Sequence, residues 1–452
     1  MLDIKFIREN PEAVRKGAEL KGMKAAAENV DRLLEVDGRK RAVQGKLQEL
    51  QTEQNKASKE LGPLMGQLKK EQDAGKRAEL ERKVEQLKQR PAAIKQESAA
   101  LEEELKRLEP EVEGLLLTIP LPPDEDVPVG KSSEDNVEML KWGEPRKFEF
   151  EPKSHIELGK SLGLFDVDRG VKLAGSRSYF LTGRGAILHS AVLRMAQDFM
   201  VFEQGFTPMT VPVLVREAAM RGTGFFPAGR EQAYRVGEVD DPAEEVRFLT
   251  GTGEVGLTAY HMDEILSEAE LPKTYVTTST CFRREAGTYG KDTTGLYRIH
   301  QFDKVEQVVI CRNDKEESKR WHRKMLSFSE EMLKRMNLPY RLLQCCTGDL
   351  GVKNASMIDV ETWMPSRNGY GETHSASRLY DFQARRCNLR YKTAEGGGGT
   401  TVFCHTLNNT VIASPRILIP ILENHQNADG SVTVPEVLRK YMGGMERIGA
   451  TT

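Results

Sequence analysis

The stretch from Cys281 to Gln307 reads CFRREAGTYGKDTTGLYRIHQFDKVEQ. It sets Arg283, Arg284 and Glu285 beside a segment holding Gly287, Gly290 and Gly295, then returns through the run Tyr297–His300–Phe302–Val305. The charged end has no apolar cover of its own, whereas the return reads as a strand entering a core. Charge held at the mouth of a core implies a charged ligand between the two. On an extended chain Arg283 and Glu285 share a face. A guanidinium takes a phosphate and a carboxylate takes the amino group of a base, so the pair can grip a nucleotide at two points. Phe302 can stack on a base, and the Gly287–Gly295 loop can close over the ligand. FRRE alone reads better as a surface hairpin with an ordinary ion pair; the other segments of the chain turn the reading toward a ligand.

Bulk properties bound the answer. The chain has 452 residues, enough for two or more domains. Charged residues make up 30% and apolar ones 38%, with a formal net charge of −2. Nothing in that total demands nucleic acid, and local basic patches remain compatible with it. Six cysteines form no CxxC pair, which argues against a zinc site and a disulfide framework. The opening MLDIKFIREN lacks an apolar signal region, and no window approaches a membrane span. A cytoplasmic protein with no membrane association is expected.

Residues 30–109 differ in texture. Two apolar ladders step by threes and fours: Val36, Val43, Leu47, Leu50, Ala57, Leu61, Leu64, then Leu80, Val84, Leu87, Ile94, Leu101, Leu105, Leu108. They predict two long helices folded into an antiparallel hairpin, turning within Gly66–Glu79 and bent at Pro91. The hairpin is either a dimerisation coiled coil or an arm whose lysines and arginines, Lys40, Arg41 and Lys46 among them, meet the phosphates of a large partner.

LTIPLPPDEDVPVG, Leu117–Gly130, reads as a linker, giving domains of 1–117 and 118–452. Beyond it, Ala186–Gly205 is an amphipathic helix and FTPMTVPVLV an edge or interface strand. Strands are expected at Tyr275–Thr280, Ile299–Ile310, Ala355–Trp363 and Thr401–Leu407, and a buried helix over Val411–Gln426. The fold class is α+β, an antiparallel sheet flanked by helices.

Other segments add chemistry. Thr252 and Glu254 share a face if extended, and suit an α-ammonium group. Glu306 is a lone acid in an apolar strand, costly unless it meets a cation. Glu372 and Ser375 offer oxygen ligands for Mg²⁺. Arg283 and Arg416, far apart in sequence, would bracket a polyphosphate. No P-loop is present, and His300 reads as a strand residue rather than a base.

These segments, in this order, resemble the seryl-tRNA synthetases, a family of class II aminoacyl-tRNA synthetases. MLDIKFIRENPEAVRKGAELKG resembles the family's opening and the helical hairpin its tRNA-binding arm. GFTPMTVPVLV resembles class II motif 1, with Pro212 at a dimer interface, and CFRREAGTYGKDTTGLYRIHQFDKVE resembles motif 2. DFQARR, HTLN and PEVLRKYMGG resemble the C-terminal third.

The resemblance implies an enzyme that activates L-serine with ATP and Mg²⁺ to seryl-adenylate. The seryl group passes to tRNA(Ser), with tRNA(Sec) as a second acceptor, and the enzyme works as a homodimer. It implies serine contacts at Thr252, Gly253, Glu254, Glu306 and Thr410. It implies ATP contacts at Arg283, Arg284, Glu285, Ile299, Phe302, Glu372, Thr373, His374, Ser375 and Arg416. Arg283 and Arg416 carry the catalysis, and Glu372 and Ser375 hold the metal. The chain departs from the family pattern in reading Thr-Gly-Glu for Thr-Ala-Glu, Glu-Thr-His-Ser for Glu-Ile-Ser-Ser, and NNTVIASPR for a glycine-rich form. The charged ligands survive, so the departures bear on serine affinity rather than on the reaction. A paralogue that charges a carrier protein, and a non-catalytic RNA-binding regulator, are the rival readings.

Overall fold

The computed structural model describes residues 1–237, 245–287, 295–394 and 399–449. The chain divides into two compact units. One comprises Ile4–Arg15 with Lys24–Ile119; the other comprises Met1–Asp3, Lys16–Met23 and the chain from Pro120 onward.

The first unit is built on two helices, α1 (Lys24–Lys70) and α2 (Ala74–Thr118). Val36, Val43, Leu50 and Ala57, one heptad apart, are buried along α1, and Val84, Ile94 and Leu108 along α2. The seam is flanked by ion pairs Arg32–Glu111, Arg39–Glu104 and Glu53–Arg90, whose partners approach each other in a fixed antiparallel register. The helices are longer than their ladders suggest. Gly66 lies inside α1, and the turn is only Glu71–Asp73, closed where the Asp73 carboxylate accepts from the Gly75 and Lys76 amides. A glycine in a helix interior costs about 1 kcal/mol, too little to end a helix whose seam continues. α2 runs unbroken through Pro91 and Pro110.

The second unit is organised on an eight-stranded sheet. Its strands are β1 (Val137–Trp142), β2 (Thr207–Pro208), β3 (Lys273–Phe282), β4 (Gln301–Cys311), β5 (Tyr340–Gln344), β6 (Ser356–Met364), β7 (Gly369–Tyr380) and β8 (His405–Ser414), in the order β1-β5-β6-β7-β8-β4-β3-β2. All pairings are antiparallel except β2 with β3. This is the α+β architecture expected. Helix α3 (Gly183–Asp198) and helix α5 (Lys315–Arg335) cover one face, where Leu188, Val192, Met325, Phe328 and Met332 pack with Val305 and Val309 of β4. Between them in sequence, the short helix α4 (Glu254–Ala259) lies near the opposite face; α6 (Phe382–Arg386) and α7 (Leu418–Asn424) follow.

Three expectations are corrected. The run Val411–Gln426 opens as strand: β8 continues to Ser414, and only Leu418–Asn424 is helical, because the β-branched Thr410, Val411 and Ile412 belong to the stretch that pairs with β4 before the proline stops it. Thr401–Leu407 is two strands, Thr401–Phe403 and the start of β8, joining different sheets. FTPMTVPVLV contributes only Thr207–Pro208 and, in a separate three-stranded sheet, the first two residues of the strand Leu214–Arg216, since its prolines lack the donors a longer ladder needs. The closing loop read at Gly287–Gly295 and the glycine tract from Glu395 lie largely outside the described residues.

Candidate active site

Alternation along β4 builds the floor of a cavity. Phe302, Lys304 and Glu306 face the cavity, while Val305 and Val309 enter the core on the other side. Glu306 is buried at 1% exposure, and its cation is its own neighbour: Lys304 Nζ lies 2.6 Å from Glu306 Oε2. The same ammonium donates to Thr252 Oγ1 at 2.8 Å. Across the ladder, Val305 pairs with Ile412 but Glu306 pairs with Thr410, leaving Val411 as an extra residue. This bulge faces Thr410 toward Glu306, and its hydroxyl donates to Oε2 at 3.5 Å. Burial pushes the Glu306 carboxyl up from its ordinary range, opposed by Lys304 and reinforced by Glu254.

Glu254 opens α4 rather than lying on an extended loop, so it and Thr252 meet the cavity from a turn. Its Oε1 accepts from Lys353 Nζ at 2.5 Å and from Gln383 Nε2 at 2.7 Å. Gln383 is held in turn by the Thr223 carbonyl and the Thr406 hydroxyl. Gly253 has no side chain to offer, but its place is tight. A Cβ there would lie 2.5 Å from Thr277 Cγ2 and 3.0 Å from Ser279 Oγ. The glycine of Thr-Gly-Glu is therefore matched to a threonine on β3. The residues Gly251–Gly256 also spell G-x-G-x-x-G, but they lead into a six-residue helix beside an antiparallel sheet, not into a dinucleotide-binding βαβ unit.

At the other end, β3 stops at Phe282, so Arg283 and Glu285 are not on one extended face. Glu285 adopts a left-handed φ of 52°. That turn of the backbone still brings both side chains to the cavity. Arg283 lies over the Phe302 ring at 5.2 Å and donates from Nε to the Gly251 carbonyl. Glu285 accepts from Arg298 Nη1 at 3.0 Å. Arg284 is exposed and is not among the lining residues; its amide bonds the Gln232 carbonyl. Arg416 precedes α7 rather than opening it. Its guanidinium stacks on Tyr297 at 4.6 Å, donates to the Tyr297 carbonyl, and lies 3.5 Å from Glu372 Oε2. Ile299 completes this wall.

Glu372 and Ser375 are three apart on β7, a spacing that places side chains on opposite faces of a regular strand. Here His374 pairs with Val360 and Glu372 with Glu361, so Thr373 is an extra residue. The bulge brings both Glu372 and Ser375 to the cavity, with Thr373 and His374 also among its lining. Thr373 shares a hydrogen bond with Thr362 at 2.7 Å, and His374 Nδ1 lies 2.8 Å from the Thr373 hydroxyl. Burial pulls His374 down to about 3, so it is neutral near pH 7. A carboxylate and a hydroxyl form a hard-oxygen donor pair that fits Mg²⁺, an ion that keeps waters and takes phosphate oxygens for the rest of its shell.

The cavity thus gathers thirteen of the fifteen residues singled out from the sequence: Thr252, Glu254, Arg283, Glu285, Ile299, Phe302, Glu306, Glu372, Thr373, His374, Ser375, Thr410 and Arg416. Gly253 underlies it and Arg284 lies outside. Four partners were not anticipated. Lys304 carried a legible signal, since it sits between Phe302 and Glu306 at strand spacing. Lys353, Gln383 and Arg298 did not, because their partners are remote or lie across a turn.

A sheet of this topology, with two arginines at one end of its cavity and buried carboxylates at the other, is that of a class II aminoacyl-tRNA synthetase core. Residues 234–425 match the family model of the class II tRNA synthetase core domain (G, H, P, S and T), and residues 1–122 match that of the seryl-tRNA synthetase N-terminal domain. The chain is 43% identical to a serine–tRNA ligase of Deinococcus radiodurans over 99% of each chain. It is 46% identical to one of Caldanaerobacter subterraneus subsp. tengcongensis over 98% of each. The crystal structure of seryl-tRNA synthetase from Pyrococcus horikoshii complexed with ATP superposes with a TM-score of 0.90 at 36% identity, covering 100% of both chains. The chain belongs to the seryl-tRNA synthetase family of aminoacyl-tRNA ligases.

Proposed function

We propose that the protein activates L-serine with ATP to give seryl-adenylate and pyrophosphate, then transfers the seryl group to tRNA(Ser). The observation that carries this reading is the convergence, on one cavity, of Arg283, Phe302 and Arg416 at one end with Thr252, Glu254 and Glu306 at the other. The first set suits a nucleotide triphosphate and the second a small amino acid with a hydroxyl.

In this reading the adenine stacks on Phe302, and Glu285 accepts from its amino group. The serine ammonium approaches Glu254 and Thr252, and its hydroxyl donates to Glu306 beside Thr410. The serine carboxylate attacks the α-phosphorus in line, and pyrophosphate leaves. Arg283 bridges carboxylate and α-phosphate, and Arg416 holds the departing phosphates. Glu372 and Ser375 would hold Mg²⁺ beside ATP, where the ion would neutralise phosphate charge. Arg284, Ile299, Thr373 and His374 shape or border the nucleotide end. The terminal tRNA hydroxyl then attacks the adenylate carbonyl and releases AMP. Catalysis rests on positioning and fixed charge, not on a general base. Glu306 gives selectivity, because an amino acid without a hydroxyl leaves a buried carboxylate short of a partner.

The helical arm, within the N-terminal region 1–117, is assigned to tRNA and the remainder, 118–452, to catalysis. A homodimer is supported by exposed apolar side chains on the catalytic unit, including Leu173, Ile187 and Phe202. A cytoplasmic setting is supported by six free cysteines, and among the described residues no helix is long and apolar enough to cross a membrane. The test is transfer of labelled serine to acid-precipitable tRNA with ATP and Mg²⁺, with tRNA(Ser) and tRNA(Sec) transcripts assayed separately. Label on tRNA(Ser) is expected. No label, beside a working control, overturns the reading and points to a carrier-protein acceptor.

A further inference from the structure

Two carboxylates face the amino-acid end of the cavity, and each already carries a lysine. Lys304 sits on Glu306 at 2.6 Å, and Lys353 sits on Glu254 at 2.5 Å. Lys353 is not a surface side chain that happens to point inward. Its side chain is 14% exposed, and its ammonium lies 3.8 Å from the centre of the Phe225 ring. The backbone on both sides of it is tied down. Lys21 Nζ donates to the Gly351 carbonyl at 2.8 Å and to the Asn354 carbonyl at 2.6 Å, and Asn354 Nδ2 donates to Ser377 Oγ at 2.9 Å. Gln383 takes the same Glu254 oxygen as Lys353.

We infer that Lys353 is a specificity-determining residue of this pocket: its ammonium occupies on Glu254 the place that an amino acid's α-ammonium takes. This rests on the reading of Glu254 as the ammonium-binding carboxylate. A second cation brought to one buried carboxylate meets the repulsion of the first, which low dielectric strengthens. The incoming ammonium therefore gains little from Glu254 while Lys353 remains. A substrate lacking that ammonium loses little, because Lys353 leaves no carboxylate stranded. The pocket is thus built to admit small α-hydroxy acids beside the α-amino acid, with Arg283 taking the shared carboxylate and Glu306 the shared side-chain hydroxyl.

The experiment uses the full chain in ATP–pyrophosphate exchange with L-serine and with D- and L-glycerate, in which an α-hydroxyl replaces the α-ammonium. Wild type is expected to prefer serine over the better glycerate enantiomer by less than about 100-fold in kcat/KM. A pocket that depends on a substrate donor rejects the analogue lacking it by about 10⁴-fold or more, and that result in wild type overturns the proposal. Lys353→Met is expected to lower the KM for serine about tenfold and to raise the serine-to-glycerate ratio at least as much. The KM for ATP should stay within about twofold. An unchanged or lower ratio in a cooperatively melting Lys353→Met protein overturns the role of Lys353 and leaves serine activation standing. Should Lys353→Met not fold, the wild-type ratio decides alone. Exchange with another amino acid but not serine overturns the serine reading, and the comparison is then made with that amino acid and its α-hydroxy counterpart. Exchange with none of the twenty overturns both.

Discussion

Lys304 and Glu306, two residues apart on one strand, face the same way and close on each other at 2.6 Å, at 5% and 1% exposure. The pair explains how a carboxylate is kept on the floor of a cavity without unfolding the sheet beneath it. Removing one partner of such a pair strands the other. Lys304→Met should cost about 3–5 kcal/mol by denaturant unfolding, and Glu306→Gln should restore most of it in the double variant. Independent, additive losses would show that the two do not support each other. Glu306→Ala should reduce serine-dependent exchange by at least about 100-fold in protein that still melts cooperatively, and its stability should fall about as much as that of Lys304→Met, because the Lys304 ammonium is stranded in turn.

Gly253 and Thr277 should behave as a matched pair. Gly253→Ala puts a methyl 2.5 Å from Thr277 Cγ2, so the loop carrying Thr252 and Glu254 must shift. Overpacking of this kind costs about 1–3 kcal/mol. Serine KM should rise with it, and Thr277→Ser, which removes that methyl, should recover both in the double variant. A Gly253→Ala protein with unaltered melting and KM would dispose of the steric account.

Phe302 lies under Arg283 at 5.2 Å. Phe302→Leu stays apolar and loses the aromatic face, so the KM for ATP should rise about tenfold, in line with stacking worth about 1–3 kcal/mol per base. The KM for serine should stay within about twofold.

Deletion of residues 31–109 tests the helical arm. Serine-dependent pyrophosphate exchange is expected to persist while tRNA charging collapses. Loss of both in a well-folded protein would make the arm part of the catalytic unit rather than a tRNA-binding device.

Lys21 offers a pH dependence. Burial pulls it down to about 7 from an ordinary value of 10.5. Between those values the unfolded chain holds a proton that the folded protein has released, so stability rises with pH across that window. Compared with Lys21→Met, wild type should gain up to about 1.4 kcal/mol per pH unit from pH 7.5 to 9.5. A difference between the two proteins that is flat with pH would show that Lys21 stays charged between the Gly351 and Asn354 carbonyls.

Local spacing carried the arm, the sheet and most of the site. Heptad steps are a property of the sequence alone, so Val36, Val43, Leu50 and Ala57 announced a seam before any partner was known. Strand alternation likewise puts Phe302, Lys304 and Glu306 on one face, a property of their spacing alone. What spacing misjudged were places where the backbone leaves its period. An extra residue at Thr373 turns Glu372 and Ser375 onto one face, an extra residue at Val411 faces Thr410 toward Glu306, and the left-handed turn at Glu285 replaces a strand. Bulges and turns arise when two strands must satisfy two ladders at once, which no single segment encodes. Lys353 on Glu254 and Gln383 beside it belong wholly to the tertiary structure. They come from segments about 100 and 130 residues away, and only the tertiary packing beside α4 brings an ammonium and an amide onto one buried carboxylate oxygen.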